Sequence, residues 1–261
     1  MKQLSNNWTK LTRWLSRNEA NGLVHDDPTT VCLCTLAMHE PYRRRARVLC
    51  ADAPKFPWVV LTDKPQAFAD LNVRAIYHEP SGPMAADYLA ALPPTGEGRG
   101  ACAYHDKRFA LMAALQDFET AIFLDADSRI ENLPLITTFP SGLSVLPVVR
   151  KSVAEHLETC GSWRLPAFRD LARVVNGDEE ALRSARWCHE TVLAVTKDGR
   201  ESSFFEAWSL AANFLQSRGI YSGEGGVIGL AALRAGWTVD YEAVTAISSS
   251  IQHEGGGPKQ S

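Results

Sequence analysis

Two aspartates one residue apart, Asp125-Ala126-Asp127, close a short apolar run from Ala121 to Leu124. The run reads as a strand buried on both faces. Alternate strand residues share a face, so the two carboxylates point the same way if the strand persists. Side by side they repel, and burying them unpaired is costly. A divalent cation resolves both problems, and oxygen ligands suit Mg²⁺ or Mn²⁺. The plainer alternative is a strand that ends in a solvated acidic turn, because so short a pattern is common.

Other residues could join that chemistry. The stretch from His105 to Asp117 reads as a helix with Leu111, Leu115 and Phe118 on its buried stripe. Three residues before Leu111 stands Arg108, a cation on the apolar face. A tight turn separates this helix from the acidic strand, so the two should run antiparallel. At about 1.5 Å per residue the helix start returns to the level of the strand's end. Arg108 is therefore expected near Asp125 and Asp127, either as a structural salt bridge or as a cation for a metal-held anion. Late in the chain, His253 is followed by Gly255-Gly256-Gly257 and then Lys259. Glycine lets backbone approach an anion closely, and lysine supplies a point charge. His189 and Glu190 precede an apolar run and either face the site, with His189 toward the donor, or form a satisfied core or rim pair. Glu224 stands at a helix entrance, where the helix dipole alone would favour an acid.

The elements that must position these residues alternate along the chain. Thr29 to Ala37 reads as the first strand, with Cys32 and Cys34 on one core side. A helix carrying Arg43-Arg44-Arg45 follows toward Cys50, and the triple arginine reads as its solvated face. Trp58 to Leu61 and Val73 to Tyr77 give two further strands, separated by Thr62-Asp63 and a short helix. Strand–helix alternation of this kind predicts a doubly wound, largely parallel sheet, with ligands beyond the carboxyl ends of the strands. Leu36, Ala37, Asp63 and Lys64 lie at those ends. No GxGxxG follows the first strand, so a dinucleotide cofactor is not expected. Ser81 to Gly100, rich in glycine and proline, reads as a loop. Gly142 to Val149 is a strand. Residues 152–186 read as amphipathic helix broken at Trp163-Arg-Leu-Pro166. Val192 to Thr196 is a strand, Ser203 to Ser217 a helix, Tyr221 to Gly226 a flexible turn, and Val227 to Ala235 a helix of small residues.

Composition excludes little beyond the extremes. The 261 residues carry a net charge of −3, with 45% hydrophobic and 22% charged side chains. These values fit a soluble α/β domain and give no nucleic-acid signature. No stretch approaches the length of a membrane span, and the polar opening segment does not read as a signal peptide. The six cysteines match no zinc or disulfide framework, which points to a reducing cytoplasm. Residues 4–17 read as an amphipathic, basic helix through Leu4, Trp8, Leu11 and Leu15. It either packs on the domain or makes a peripheral membrane contact.

Three features together resemble a known family. They are the apolar strand ending in Asp125 and Asp127, Arg108 placed 17 positions earlier, and the HxxGxxK pattern of His253, Gly256 and Lys259. The chain resembles metal-dependent glycosyltransferases of the GT-A fold, most of all the family-8 type that includes glycogenin and bacterial lipopolysaccharide galactosyltransferases. The resemblance covers roughly residues 29–259 in element order. It implies an α/β, GT-A (Rossmann-like nucleotide-diphospho-sugar transferase) fold, with a mixed, mostly parallel central sheet and helices on both faces. It divides the chain into a helix and linker over 1–28 and one domain over 29–261. It implies a nucleotide-sugar donor, UDP-linked, and a glycan, lipid or protein acceptor. Asp125, Asp127 and His253 would bind Mn²⁺ or Mg²⁺. Lys259 and Arg108 would contact the phosphates or the sugar, with Gly256 in the same motif. The Ala126 backbone would meet the ribose, and Thr35, Leu36, Ala37 and Asp63 would surround base and ribose.

The chain departs from that family where it offers His189 and Glu190 in place of an asparagine, Glu224-Gly225 late in the chain, and Gln260 after the lysine. Glu224, then Glu190, are the candidates for a base or sugar-positioning carboxylate. Two other readings share the acidic strand. A haloacid-dehalogenase-like phosphatase normally carries that strand first in its domain, and a nucleotidylyltransferase wants a glycine-rich loop after its first strand. A non-catalytic nucleotide-sugar-binding protein is the third alternative.

Overall fold

The computed structural model of the chain describes residues 30–79, 105–134, 139–220 and 223–253. The expected helix at 4–17, the loop at 81–100, and Gly256 and Lys259 lie outside these residues.

Apolar and β-branched runs form the core strands. They are β1 (Val31–Ala37), β2 (Trp58–Thr62), β3 (Arg74–Tyr77), β4 (Thr120–Leu124), β6 (Gly142–Leu146) and β7 (His189–Thr196). They build one sheet in the order β3-β2-β1-β4-β7-β6. The pairs β3–β2, β2–β1 and β1–β4 are parallel, whereas β7 runs antiparallel to both β4 and β6. One strand of six is thus reversed, and the sheet is the mixed, mostly parallel kind expected.

Both faces are covered, and single strands show why. Along β4, Ala121 and Phe123 join one core, while Ile122 and Leu124 join the other. Helix α1 (His39–Asp52) covers the second face through Ala46, Leu49 and Cys50, with α8 (Glu242–Ser248) beside it through Val244 and Ile247. The first face carries the larger core. It holds α2 (Lys107–Ala114), α3 (Val153–Cys160), α4 (Leu165–Asn176), α5 (Ala181–Ser184), α6 (Glu201–Gln216) and α7 (Glu224–Arg234). Cys32 and Cys34 are fully buried on this face, as their spacing predicts. All five cysteines among the described residues are free, and no described helix is long and apolar enough to cross a membrane.

The expected helix over 152–186 resolves into α3, α4 and α5. Ser152 caps α3 and accepts a hydrogen bond from the Glu155 N–H, while the Glu155 carboxylate accepts from the Ser152 N–H. A 3₁₀ turn at Ser162–Arg164 forms the break, and Pro166 opens α4, where its missing N–H costs nothing.

The turn expected at Tyr221 to Gly226 is in part helix, since α7 begins at Glu224. Its glycines serve close approach. A Cβ on Gly225 would lie 2.3 Å from the Cys188 carbonyl oxygen, and one on Gly229 would lie 1.8 Å from that of Arg186. Helix α7 therefore lies directly against the backbone leading into β7. Two three-residue strands, β5 (Ser128–Ile130) and β8 (Ile251–His253), form a separate antiparallel ribbon in which Ser128 pairs with His253.

Candidate functional site

The carboxyl ends of β1, β2 and β4 meet the start of the reversed β7 at one sheet edge, and the candidate residues gather there. Asp125 directly follows β4, and its N–H donates to the Thr191 carbonyl of β7 at 3.0 Å. A turn closed by the Ser128 N–H on the Asp125 carbonyl, 2.9 Å, carries Asp127 into β5. Strand β8 then brings His253 to the same place from the far end of the chain. Nδ1 of His253 is 3.2 Å from Oδ1 of Asp127. One donor atom from each of Asp125, Asp127 and His253 lies within 4.8 Å of the other two.

The donor set fits a divalent cation. Two carboxylates and an imidazole suit Mn²⁺ or Mg²⁺, and side chains reaching the rim leave positions open to a ligand. Burial pushes the Asp127 carboxyl up, but the His253 hydrogen bond and the charges of His253 and Arg45 outweigh it and hold the group below the usual range. Asp127 is therefore ionised at neutral pH. The hydrogen bond to Asp127 holds His253 above the usual histidine range. Arg45, from α1, approaches Oδ2 of Asp127 to 3.6 Å. Of the triple arginine read as a solvated face, Arg44 pairs with Glu40 on the helix surface, but Arg43 bonds Asp63 and Arg45 faces the site.

The cation beside Asp125 is Lys107, which corrects the expectation for Arg108. The Lys107 ammonium is 2.9 Å from Oδ1 of Asp125 and 2.9 Å from Oε1 of Glu224, and it donates to the Glu190 carbonyl at 3.3 Å. Burial disfavours its charge, but Asp125 and Glu224 overcome that and raise its pKa. Arg108 is turned away. Its guanidinium donates to Ser209 Oγ at 3.1 Å and to the His105 carbonyl, pairs with Asp106, and lies over the Phe109 ring. Burial lowers its pKa to about 10. A helix turn of 3.6 residues puts positions three and four before Leu111 almost equally on its face. Sequence alone does not choose between them. Packing does, because α6 brings Ser209 to Arg108 while Phe123 of β4 lies under the Lys107 ammonium.

Glu224 is buried, and that burial pushes its carboxyl up to about 7 against the pull of Lys107. Burial likewise raises Asp125, opposed by Lys107. Glu190 and His189 are half-buried residues within β7 rather than ahead of it. The Glu190 carboxylate makes no hydrogen bond or ion pair with the described residues, whereas His189 Nδ1 meets the Thr191 hydroxyl at 2.9 Å. Ala126 and Ala37 are buried, and Leu36 is partly so. Thr35 is fully buried, with a hydroxyl that has no partner among the described residues. Asp63 is at the expected edge, but its carboxylate binds Arg43 at 2.6 Å and the His39 N–H at 3.3 Å. It closes the turn from β1 into α1, where His39 adopts a left-handed φ of 64°.

No protein-family model matches the chain, and no curated protein matches it. Among solved structures, the apo form of mouse xyloside xylosyltransferase 1 is similar over 81% of this chain and 84% of that one, at 10% identity and a TM-score of 0.39.

Proposed function

We propose that the chain is a glycosyltransferase that moves a sugar from a nucleotide-diphosphate donor, UDP-linked, to an acceptor hydroxyl. The observation that carries this reading is the convergence of Asp125 and Asp127 with His253 at one point of the sheet edge. The reversed strand beside the acidic one and the helices on both faces support a GT-A arrangement.

Asp125, Asp127 and His253 would hold Mn²⁺ or Mg²⁺, which supplies positive charge to the departing diphosphate. Arg45 adds a fixed cation beside Asp127, and Lys259 is assigned to the same phosphates. Lys107 is a positioning residue that holds Asp125 and Glu224 in place. Glu190 is the acceptor-side carboxylate, since it is only partly buried while Glu224 is buried and tied to Lys107. In the transfer, the acceptor oxygen forms the new bond to the anomeric carbon. The sugar–phosphate C–O bond breaks with its electron pair leaving on the diphosphate, and the acceptor proton passes to Glu190. We place the reaction in a reducing, cytoplasmic setting, in keeping with the free cysteines.

The test is hydrolysis of UDP-sugars by the purified protein with and without Mn²⁺, paired with calorimetry of donor binding. Asp127→Ala should abolish metal-dependent donor binding while leaving the fold intact. Undiminished affinity in that variant overturns the site. Release of phosphate from a generic phosphomonoester, without sugar transfer, would favour the phosphatase reading.

A further inference from the structure

Resting on that reading, we propose that Trp163 is the stacking platform for a saccharide acceptor, joined to the Asp125–Asp127 site through Arg164 and the Gly223–Glu224 entry of α7. Trp163 is 67% exposed, the most exposed of the large hydrophobic side chains among the described residues. An indole left in water on a fixed turn is an unspent binding surface.

The turn that carries it is held firmly. Arg164 folds back and donates to the Cys160 carbonyl at 3.0 Å. A Cβ on Gly161 would stand 2.3 Å from the Arg164 guanidinium, so glycine there makes room for that return. The guanidinium carbon lies 5.7 Å from the Trp163 ring centre and 6.0 Å from that of Trp187, within reach of both indoles. It also reaches Gly223, where a Cβ would be 3.0 Å from its Nη1, and Gly223 immediately precedes Glu224. The His156 ring stacks on Trp187 with centroids 3.7 Å apart. The path thus runs from the exposed indole through Arg164 to Gly223 and Glu224, and from there to Lys107 and Asp125.

The chemistry of this surface selects the ligand class. A pyranose offers a C–H face to an indole and a rim of hydroxyls to its surroundings. Here one exposed aromatic face is flanked by the exposed Ser162, whose hydroxyl can donate and accept, and rests beside the Arg164 guanidinium. An apolar peptide would want a continuous greasy patch, and the other exposed large hydrophobics, Tyr42, Val48, Tyr77, Val148 and Val174, are spread over α1, β3, the turn after β6 and α4.

The test labels the full chain with 5-fluorotryptophan and follows it by fluorine NMR, with the Trp163 line identified by its loss in Trp163→Phe. Lactose, maltotriose and xylobiose are titrated as probes, beside an apolar tyrosine-containing peptide. At least one saccharide should shift the Trp163 line, and Trp163→Ala should raise the KM for transfer to that saccharide about tenfold. Mn²⁺-dependent hydrolysis of the donor by water should be unchanged in the variant. The proposal is overturned if no saccharide moves the line, if only the peptide does, or if Trp163→Ala transfers as well as the parent. Absence of donor hydrolysis in the parent chain would instead overturn the transferase reading, while the NMR result still reports on sugar binding.

Discussion

Lys107 is the residue on which the site's electrostatics turn. Its ammonium neutralises two acids at once, and removing it would leave Asp125 and Glu224 buried without their cation. Breaking a buried pair in this way costs about 3 kcal/mol or more. Lys107→Met should therefore lower stability by that order in urea unfolding and weaken Mn²⁺ binding, because Asp125 loses its fixed orientation. Unchanged stability and metal affinity would show that Lys107 is incidental. His105 gives the second residue-scale expectation. It is buried, with Nδ1 accepting from Trp208 at 3.4 Å, and burial lowers its pKa from 6.5 to about 3. The unfolded chain takes up the proton near pH 6.5 and the folded chain does not. Stability from this group is present above that pH and lost as pH falls toward 3, by up to about 1.4 kcal/mol per unit. Melting from pH 7 to pH 5 should show the decline, and His105→Gln, whose carbonyl can still accept from Trp208, should flatten it.

Elements were legible in proportion to their length and burial. The core strands announced themselves as apolar runs, and Asp125 and Asp127 stood out because acids rarely close such a run. The pairing of His253 with Asp127 was reachable only through the family pattern, since nothing local in Ile251 to His253 marks a strand. Three residues are too few to display alternation, so the β5–β8 ribbon was missed, as was α8. The glycines of α7 misled for a different reason. Glycine signals a turn or a close approach equally well, and only the neighbouring backbone distinguishes them. Gly229→Ala tests this. The added methyl would meet the Arg186 carbonyl oxygen at 1.8 Å, and backbone cannot yield as a side chain can. A loss of about 1–3 kcal/mol or more is expected in thermal unfolding. A neutral result would mean that α7 and the entry to β7 slide apart freely.

At the scale of the molecule, the sheet is a wall shared by two cores. Ile122 and Phe123 are consecutive residues of β4, both buried, one serving each core. Because one strand backbone anchors both, the described body should unfold as a unit. Ile122→Ala and Phe123→Ala should each cost about 2–5 kcal/mol and shift the same cooperative transition. Two separate transitions, each sensitive to only one variant, would show that the cores melt independently.

The β5–β8 ribbon laces together stretches of chain that lie far apart in sequence, at the very rim where the acids gather. An ion shared by Asp127 and His253 would act on the unfolded ensemble as a reversible crosslink, closing a loop that spans nearly half the chain. Grip on the ion and resistance to unfolding then become one property, and scarcity of the ion would loosen the molecule as well as silence it.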